Sequence, residues 1–144
     1  MKIYTKVLKF ITRKNVDLIN ITEKVREIVK ESGIKEGFVN VFTLHTTSAI
    51  IINEDEPGLE KDFVEIVKEV FPESDDYRFH HHYHKADGRM AVNAWAHFRS
   101  SFLGPQVIVP IRDNNLLLGA RQNIYFFELD GPHERTVVVQ VIGL

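Results

Sequence analysis

The stretch GFVNVFTLHTTSAIIINED, residues 37–55, contains two β-strand patterns with a polar segment between them. Residues 38–44 are rich in β-branched and aromatic side chains, and residues 49–53 form an apolar run that is too short for a helix. The polar segment HTTS, residues 45–48, separates the two runs. The stretch therefore predicts two strands joined by a loop that carries a histidine and several hydroxyl groups.

A helix pattern precedes these strands. Asn20, followed three residues later by Glu23, forms an N-cap signature of the capping-box type. The apolar side chains that follow share one helical face, and Gly33 provides a C-terminal stop. That face consists of Ile21, Val25, Ile28 and Val29.

A second helix pattern follows the strands. Pro57 suits a first helical turn, and Pro72 marks the end of the helix. The apolar side chains between these prolines again fall on one face, which predicts that this face packs against the core. They are Leu59, Phe63, Ile66, Val67 and Val70.

Strand patterns dominate the C-terminal part of the chain. They are QVIVPI (106–111), NIYFFELD (123–130) and RTVVVQVIG (135–143), and RDNN (112–115) has the composition of a hairpin turn. The continuous apolar run of 135–143 predicts burial on both faces of its strand. A further strand is expected at residues 3–11. Strands collected at the C-terminal end favour an α+β fold over a doubly wound sheet.

The composition restricts the classes of function. A chain of 144 residues is the size of one domain, here 1–144, and can bury a core without structural metal or disulfides. The net charge of −2 argues against nonspecific nucleic-acid binding. The absence of cysteine excludes thiolate metal sites and cysteine nucleophiles. No signal peptide or membrane span is recognisable, so we expect a cytoplasmic protein. The P-loop, GxGxxG and GxSxG motifs are missing as well.

Histidines cluster in the second half of the chain. FHHHYH (79–84) is followed by His97, so five of the seven histidines lie within eighteen residues. In a strand His80, His82 and His84 share a face, whereas in a helix His80 or His81 would neighbour His84. Either conformation aims two imidazoles at one point and suits a transition metal. A solvated loop is the competing interpretation.

The loop residues His45, Thr46, Thr47 and Ser48 form a second candidate site. Their hydroxyl and backbone N–H groups could hold an anion beside the imidazole. The competing interpretation is that these side chains only stabilise a turn at the end of a strand.

A third candidate lies in HFRSSFLGPQ, residues 97–106. Arg99, Ser100 and Ser101 could bind a phosphate or carboxylate, because the guanidinium supplies paired donors. Alternatively, the segment is an amphipathic helix that ends at Gly104, with Trp95, Phe98 and Phe102 as its core face. Both can hold together.

Glu128 is the most informative acidic residue. In a strand it shares a face with Ile124 and Phe126, where burial would raise the pKa of an unpaired carboxyl group. It is therefore either the partner of an arginine, Arg121 or Arg135, or a general acid/base.

Three segments together carry a family resemblance. LHTTSAIIINEDEPGLEKDF (44–63), NAWAHFRSSFLGP (93–105) and LLLGARQNIYFFELDGPHERTVVVQVIG (116–143) resemble the YjbQ-like family, and the resemblance runs from about residue 3 to the C-terminus. It implies an α+β fold with helices packed on an extensive, largely antiparallel sheet system, and a homotrimer. It also implies secondary thiamine-phosphate synthase activity.

The resemblance further implies a metal site of three histidines. His45 and His97 match the family positions, and His81 is the first choice for the third ligand, with His82 and His84 as alternatives. The implied cofactor is a divalent metal, zinc first and magnesium as an alternative. A site of three histidines suits a transition metal and is unusual for a reaction that releases pyrophosphate. The synthase activity is therefore expected to be secondary.

One segment departs from the family pattern. The usual Gly-Thr-Trp-Gln is Gly-Ala-Arg-Gln here, at residues 119–122, so Arg121 replaces the aromatic residue while Gln122 remains. The predicted catalytic candidates are His45, Gln122 and Glu128. Arg121 joins the predicted anion-binding set.

These features together predict a metal-dependent enzyme that acts on a small phosphorylated metabolite. The alternatives are a noncatalytic homotrimer that binds a metal or metabolite, and a purely structural domain.

Overall fold

A computed structural model describes residues 1–74, 76–77, 79–80 and 92–144. Within these residues two pairs of strands flank the first helix, two further helices follow, and four strands complete the chain. The elements are β1 (Lys2–Ile11), β2 (Asp17–Asn20), α1 (Thr22–Ser32), β3 (Glu36–Thr43), β4 (Ser48–Asn53), α2 (Pro57–Val70), α3 (Ala94–Leu103), β5 (Gln106–Arg112), β6 (Asn115–Leu116), β7 (Asn123–Glu128) and β8 (Glu134–Gly143). The predicted α+β class is confirmed.

The strands form two sheets. A five-stranded sheet has the order β1-β8-β3-β5-β6, and a three-stranded sheet has the order β2-β7-β4. All of these strand pairs are antiparallel. β8 pairs with both β1 and β3, which makes the C-terminal strand an inner strand of the larger sheet.

One face of β8 is buried more completely than the other. Val137, Val139 and Val141 are fully buried, whereas Val138 and Ile142 on the opposite face are only half-buried. The prediction of burial on both faces is therefore wrong for the second face. That face lies on the outer side of the five-stranded sheet, away from the core cluster that contains α1.

The three-stranded sheet is buried on both faces and lies between two hydrophobic clusters. Ile124 and Phe126 of β7 join the cluster of α1 and the five-stranded sheet. Phe127 joins the other cluster, together with Val67 of α2 and Trp95 of α3. Successive side chains of a strand alternate in direction, so Glu128 follows Ile124 and Phe126 onto the first face. The fold thus carries a carboxylate into the interior at the end of β7.

The predicted face of α1 is confirmed, but its N-terminus differs. The helix begins at Thr22, and Asn20 Oδ1 accepts the Thr22 N–H at 3.0 Å and the Thr22 hydroxyl at 2.6 Å. The capping box between Asn20 and Glu23 is therefore wrong, because the amide oxygen bonds two residues ahead, in an Asx turn. Gly33 ends the helix at a φ of 68°, as predicted.

Helices α2 and α3 bury less of their apolar faces than expected. In α2, Val67 is buried, whereas Ile66 and Val70 are 49% and 60% exposed. In α3, Trp95 is buried, but Phe102 is 80% exposed. The predicted core face of α3 is wrong at this position, because the helix turns the polar residues Arg99 and Ser100 inward instead.

Candidate functional site

The candidate site begins at the end of β7, where Glu128 is fully buried. Its carboxylate forms a bidentate pair with Arg135 of β8, with Nε to Oε1 at 2.7 Å and a second bond from Nη2 to Oε2. The Thr12 hydroxyl donates to Oε1 at 2.6 Å, and the backbone N–H groups of Leu129 and Asp130 donate to Oε2 at 2.9 and 3.1 Å.

These contacts determine the charge state of Glu128. Burial alone would raise the pKa of its carboxyl group, but the bonds from Arg135, Thr12 and the Asp130 N–H outweigh burial and hold the pKa below its usual range. The carboxylate is ionised and saturated with donors. Of the two interpretations of Glu128, the structure therefore favours the arginine partner over the general acid/base, and that partner is Arg135 rather than Arg121.

His45 lies next to this ion pair, in the loop between β3 and β4. Its Nε2 accepts the backbone N–H of Thr136 at 2.8 Å, so in the neutral ring the proton resides on Nδ1. Burial, and then the nearby Arg135 guanidinium, lower the pKa of His45 and favour this neutral form. In this conformation His45 offers a hydrogen-bond donor. Metal binding through Nε2 would require the bond to Thr136 to break.

Most of the predicted anion-binding hydroxyls form bonds within the chain. Thr43 Oγ1 and Ser48 Oγ are 2.7 Å apart, and Ser100 Oγ donates to the Ser48 carbonyl at 2.6 Å. Thr47 accepts from Arg135 Nη2 through both its hydroxyl and its carbonyl, at 3.0 and 3.2 Å. These bonds hold β3, β4 and α3 together, so the anion-binding prediction is not supported for Thr47, Ser48 and Ser100.

Thr46 and Ser101 differ from those hydroxyls because both residues are exposed. Solvent reaches their side chains, as it must at any ligand site on this surface. Their assignment to the anion site stays a prediction.

Arg99 has a structural role that the sequence did not indicate. It is 3% exposed, and its guanidinium donates to the Val67 carbonyl and twice to the Phe71 carbonyl, at 2.8–3.1 Å. Burial lowers the pKa of Arg99. These bonds satisfy carbonyl groups at the C-terminus of α2, where a positive charge is favourable. The prediction that Arg99 holds an anion is not supported, because its donors already face this helix end.

Two histidines meet beside Asn93, the residue before α3. The rings of His80 and His97 have centroids 5.3 Å apart and planes at 63°. His80 Nε2 lies 3.0 Å from Asn93 Oδ1, and Asn93 Nδ2 donates to Asp130 Oδ2 at 2.7 Å. His97 was a predicted ligand, whereas His80, Asn93 and Asp130 were missed. The only sequence signal for them was the position of His80 within FHHHYH.

The other predicted ligands from this segment, His81, His82 and His84, lie outside the described residues. Among the residues that the structure describes, no group of three or more histidines, aspartates and glutamates is arranged to hold a metal ion. The described part of the chain thus provides two neighbouring imidazoles, and the predicted third ligand stays a prediction.

Arg121 and Gln122 lie at the other end of β7. Gln122 Oε1 accepts the Gly119 N–H at 2.9 Å and closes a turn, and Arg121 is largely exposed with its Nε 3.7 Å from Glu54 Oε1. Because β7 begins at Asn123 and ends at Glu128, its length separates these residues from the buried ion pair. Within a single chain, Arg121 and Gln122 therefore do not lie in one site with His45.

The strand pairing and the buried residues define the class of protein. It is an α+β domain with a buried ion pair and a histidine pair at one end of its three-stranded sheet. The family model described as "UPF0047 protein YjbQ-like" matches residues 6–144, and the chain belongs to this family. No helix among the described residues is long and apolar enough to cross a membrane.

Similar proteins agree with this membership. The chain is 38% identical to a UPF0047 protein of Methanothermobacter thermautotrophicus, over 99% of this chain and 94% of that protein. It is 35% identical to the UPF0047 protein YugU of Bacillus subtilis, over 96% and 98% of the two chains. The crystal structure of a YbjQ-like protein of unknown function from Sulfolobus solfataricus P2 is similar with a TM-score of 0.89, at 36% identity and 99% coverage of both chains.

Proposed function

We propose that this chain is a metal-dependent enzyme that acts on a small phosphorylated metabolite in the cytoplasm. The observation that carries the proposal is the pairing of His80 with His97. Two imidazoles bound to one tetrahedral zinc ion, with Zn–N of about 2.0–2.1 Å, would have ring centroids about 5 Å apart. The observed 5.3 Å is compatible with a shared divalent metal, with zinc favoured over magnesium because the ligands are nitrogens.

A bound metal would act as a Lewis acid and stabilise negative charge on a phosphoryl oxygen. Residues of the chain would bind and orient the substrate. His45 can donate a hydrogen bond from Nδ1, and the exposed hydroxyl of Thr46 adjoins it in the same loop. Arg135 is neutralised by Glu128, so the ion pair stiffens the loop rather than attracting the phosphate.

The second candidate is a noncatalytic homotrimer that binds a metal or metabolite. The outer face of the five-stranded sheet favours self-association, since Ile3, Val7 and Ile108 are 66%, 47% and 57% exposed there. Asn40 lies on the same face, opposite Ile108 of β5 on one side and Gln140 of β8 on the other. Its side-chain oxygen is buried without a hydrogen-bond partner among the described residues. A second copy would cover the apolar side chains and could donate to this oxygen.

Metal analysis and turnover test the proposal on the purified full-length chain. We expect about one zinc per chain in a tetrahedral histidine site, lost in His97→Ala but retained in the matched variant His133→Ala, whose histidine is exposed. Phosphorylated metabolites, with thiamine-phosphate formation included, are then assayed for metal-dependent turnover. Turnover that persists without metal, or equal metal binding by both variants, would contradict the enzyme proposal.

Two further results separate the candidates. Tight metal binding without turnover of any compound would favour the noncatalytic protein. His45→Ala should retain zinc while it lowers turnover, because His45 is held as a donor. Loss of zinc in His45→Ala would instead restore His45 to the predicted ligand set. Sedimentation of the unmodified chain measures whether it is a trimer.

A further inference from the structure

Asn93 occupies the N-cap position of α3, yet its side chain forms no capping hydrogen bond to that helix. An asparagine at this position would normally accept a backbone N–H and so stabilise the helix. Here the amide instead connects two other side chains, Asp130 at 2.7 Å and His80 at 3.0 Å. Asn93 is thus a residue type that favours helix capping, but its side chain links Asp130 to His80 instead.

The directions of these two bonds follow from the chemistry of the groups. A carboxylate only accepts hydrogen bonds, so Asn93 must present its NH2 group to Asp130. Its carbonyl oxygen then faces His80 and can only accept, so His80 Nε2 must carry a proton. In the neutral ring Nδ1 is therefore the unprotonated nitrogen, the form in which imidazole binds a metal.

Asp130 is itself anchored to the buried ion pair. Its backbone N–H donates to Glu128 Oε2 at 3.1 Å, and the next N–H, of Gly131, donates to the Asn15 carbonyl at 2.9 Å. A Cβ on Gly131 would lie 2.2 Å from the carbonyl oxygen of Lys14, so this turn packs tightly against the preceding loop. The carboxylate that begins the chain of bonds is thus fixed by the core.

We propose that Asp130 and Asn93 are positioning residues that fix the tautomer and orientation of His80, and that His80 Nδ1 is a ligand of a divalent transition metal shared with His97. The proposal rests on the proposed metal site and adds a ligand outside the three histidines that the sequence predicted. A carboxylate behind a metal-binding histidine commonly fixes its orientation, and here an asparagine side chain transmits the effect.

The tautomer can be measured without any metal. Long-range proton–nitrogen NMR spectra of 15N-histidine-labelled, metal-free protein distinguish Nε2–H from Nδ1–H rings, and His80→Gln assigns the signal. We expect Nε2–H for His80 in the unmodified chain. In Asp130→Asn the carboxamide can donate as well as accept, so we expect part of the His80 population to change to Nδ1–H. A His80 ring with its proton on Nδ1 in the unmodified chain would overturn the proposal.

Zinc affinity supplies the second readout, measured by competition with a chromophoric chelator. We expect Asp130→Asn and Asn93→Leu to weaken zinc binding by about 10- to 100-fold, and the matched surface variant Asp62→Asn to leave it unchanged. Unaltered affinity in Asp130→Asn despite a changed tautomer would overturn the assignment of Nδ1 as a ligand. Absence of zinc binding by the unmodified chain would refute the metal site itself, whereas the NMR result alone decides the role of Asp130 and Asn93.

Discussion

An arginine lies beside each end of β7, and both were candidate partners of Glu128 in the sequence, but their environments differ. Arg135, beside the C-terminal end, has a side chain only 4% exposed and forms a bidentate pair with Glu128. Arg121, beside the N-terminal end, has a side chain that is 83% exposed and lies 3.7 Å from Glu54. A desolvated pair is costly to break, whereas an exposed pair contributes little to stability.

The difference explains which end can support a site. At the C-terminal end, hydrogen bonds connect the ion pair to Thr47 on one side and to the Asp130 backbone on the other. Several hydrogen bonds hold the side chains of this network. At the N-terminal end, the turn at Gln122 leaves its neighbours in solvent. Charged residues in a recognisable motif therefore need not lie in one rigid site.

Breaking the buried pair should have the largest effect. Glu128→Ala leaves Arg135 buried without its partner, and we expect the free energy of unfolding to fall by about 3–5 kcal/mol. Urea denaturation measures this loss. The double variant Glu128→Met, Arg135→Met should recover most of the stability, because it removes both charges from the interior. A loss below about 1 kcal/mol in Glu128→Ala would show that the pair is unimportant for stability.

Removing one donor to the same carboxylate should have an intermediate effect. Thr12→Val keeps the shape of the side chain but deletes its 2.6 Å bond to Glu128. We expect a loss of about 2 kcal/mol, since hydrogen bonds to charged groups are the stronger ones. The control is Thr5→Val on the exposed face of β1, and equal losses in the two variants would count against the buried network.

Acid should weaken the C-terminal end of β7 through Glu128. Its pKa is lower in the folded than in the unfolded chain, so its contribution to stability is complete above the unfolded pKa of about 4.3. The contribution is lost as the pH falls through the folded pKa. Unfolding free energies measured from about pH 6 to about pH 3 should decline less steeply in Glu128→Gln. Parallel profiles would mean that another group controls acid unfolding.

The exposed end of β7 should show the smallest effect. Arg121→Ala is expected to change the free energy of unfolding by less than about 0.5 kcal/mol, as is usual for exposed sites. The same variant tests the predicted ligand role of Arg121. Weaker binding of a phosphorylated compound without loss of stability would support that role, and a large destabilisation would contradict the contrast between the two ends.

Periodic and local patterns made most of the fold predictable. The apolar face of α1, the stop at Gly33 and the strand around Glu128 follow from spacing that acts within one element. The outcome for Asn20 depended on geometry instead, because an asparagine can bond to a backbone N–H two or three residues ahead. The exposure of Phe102 also depends on packing between elements, which spacing does not specify.

The site was less predictable because its contacts join distant parts of the chain. Thr12 and Glu128 are 116 residues apart, and Asn93 and Asp130 are 37 apart. Residue type identified His97 as a candidate ligand, but only the fold shows that His80 lies beside it. In the same way, Arg99 has the chemistry of an anion ligand, and only its position near the end of α2 shows what it binds.

The most direct test of the metal site is an anomalous-scattering measurement at the zinc edge, on crystals of the full chain loaded with one equivalent of zinc. We expect a single strong peak between His80 and His97, about 2.0–2.1 Å from His80 Nδ1 and from a nitrogen of His97. A peak bound to His45 Nε2, or one that contacts neither member of the histidine pair, would contradict it.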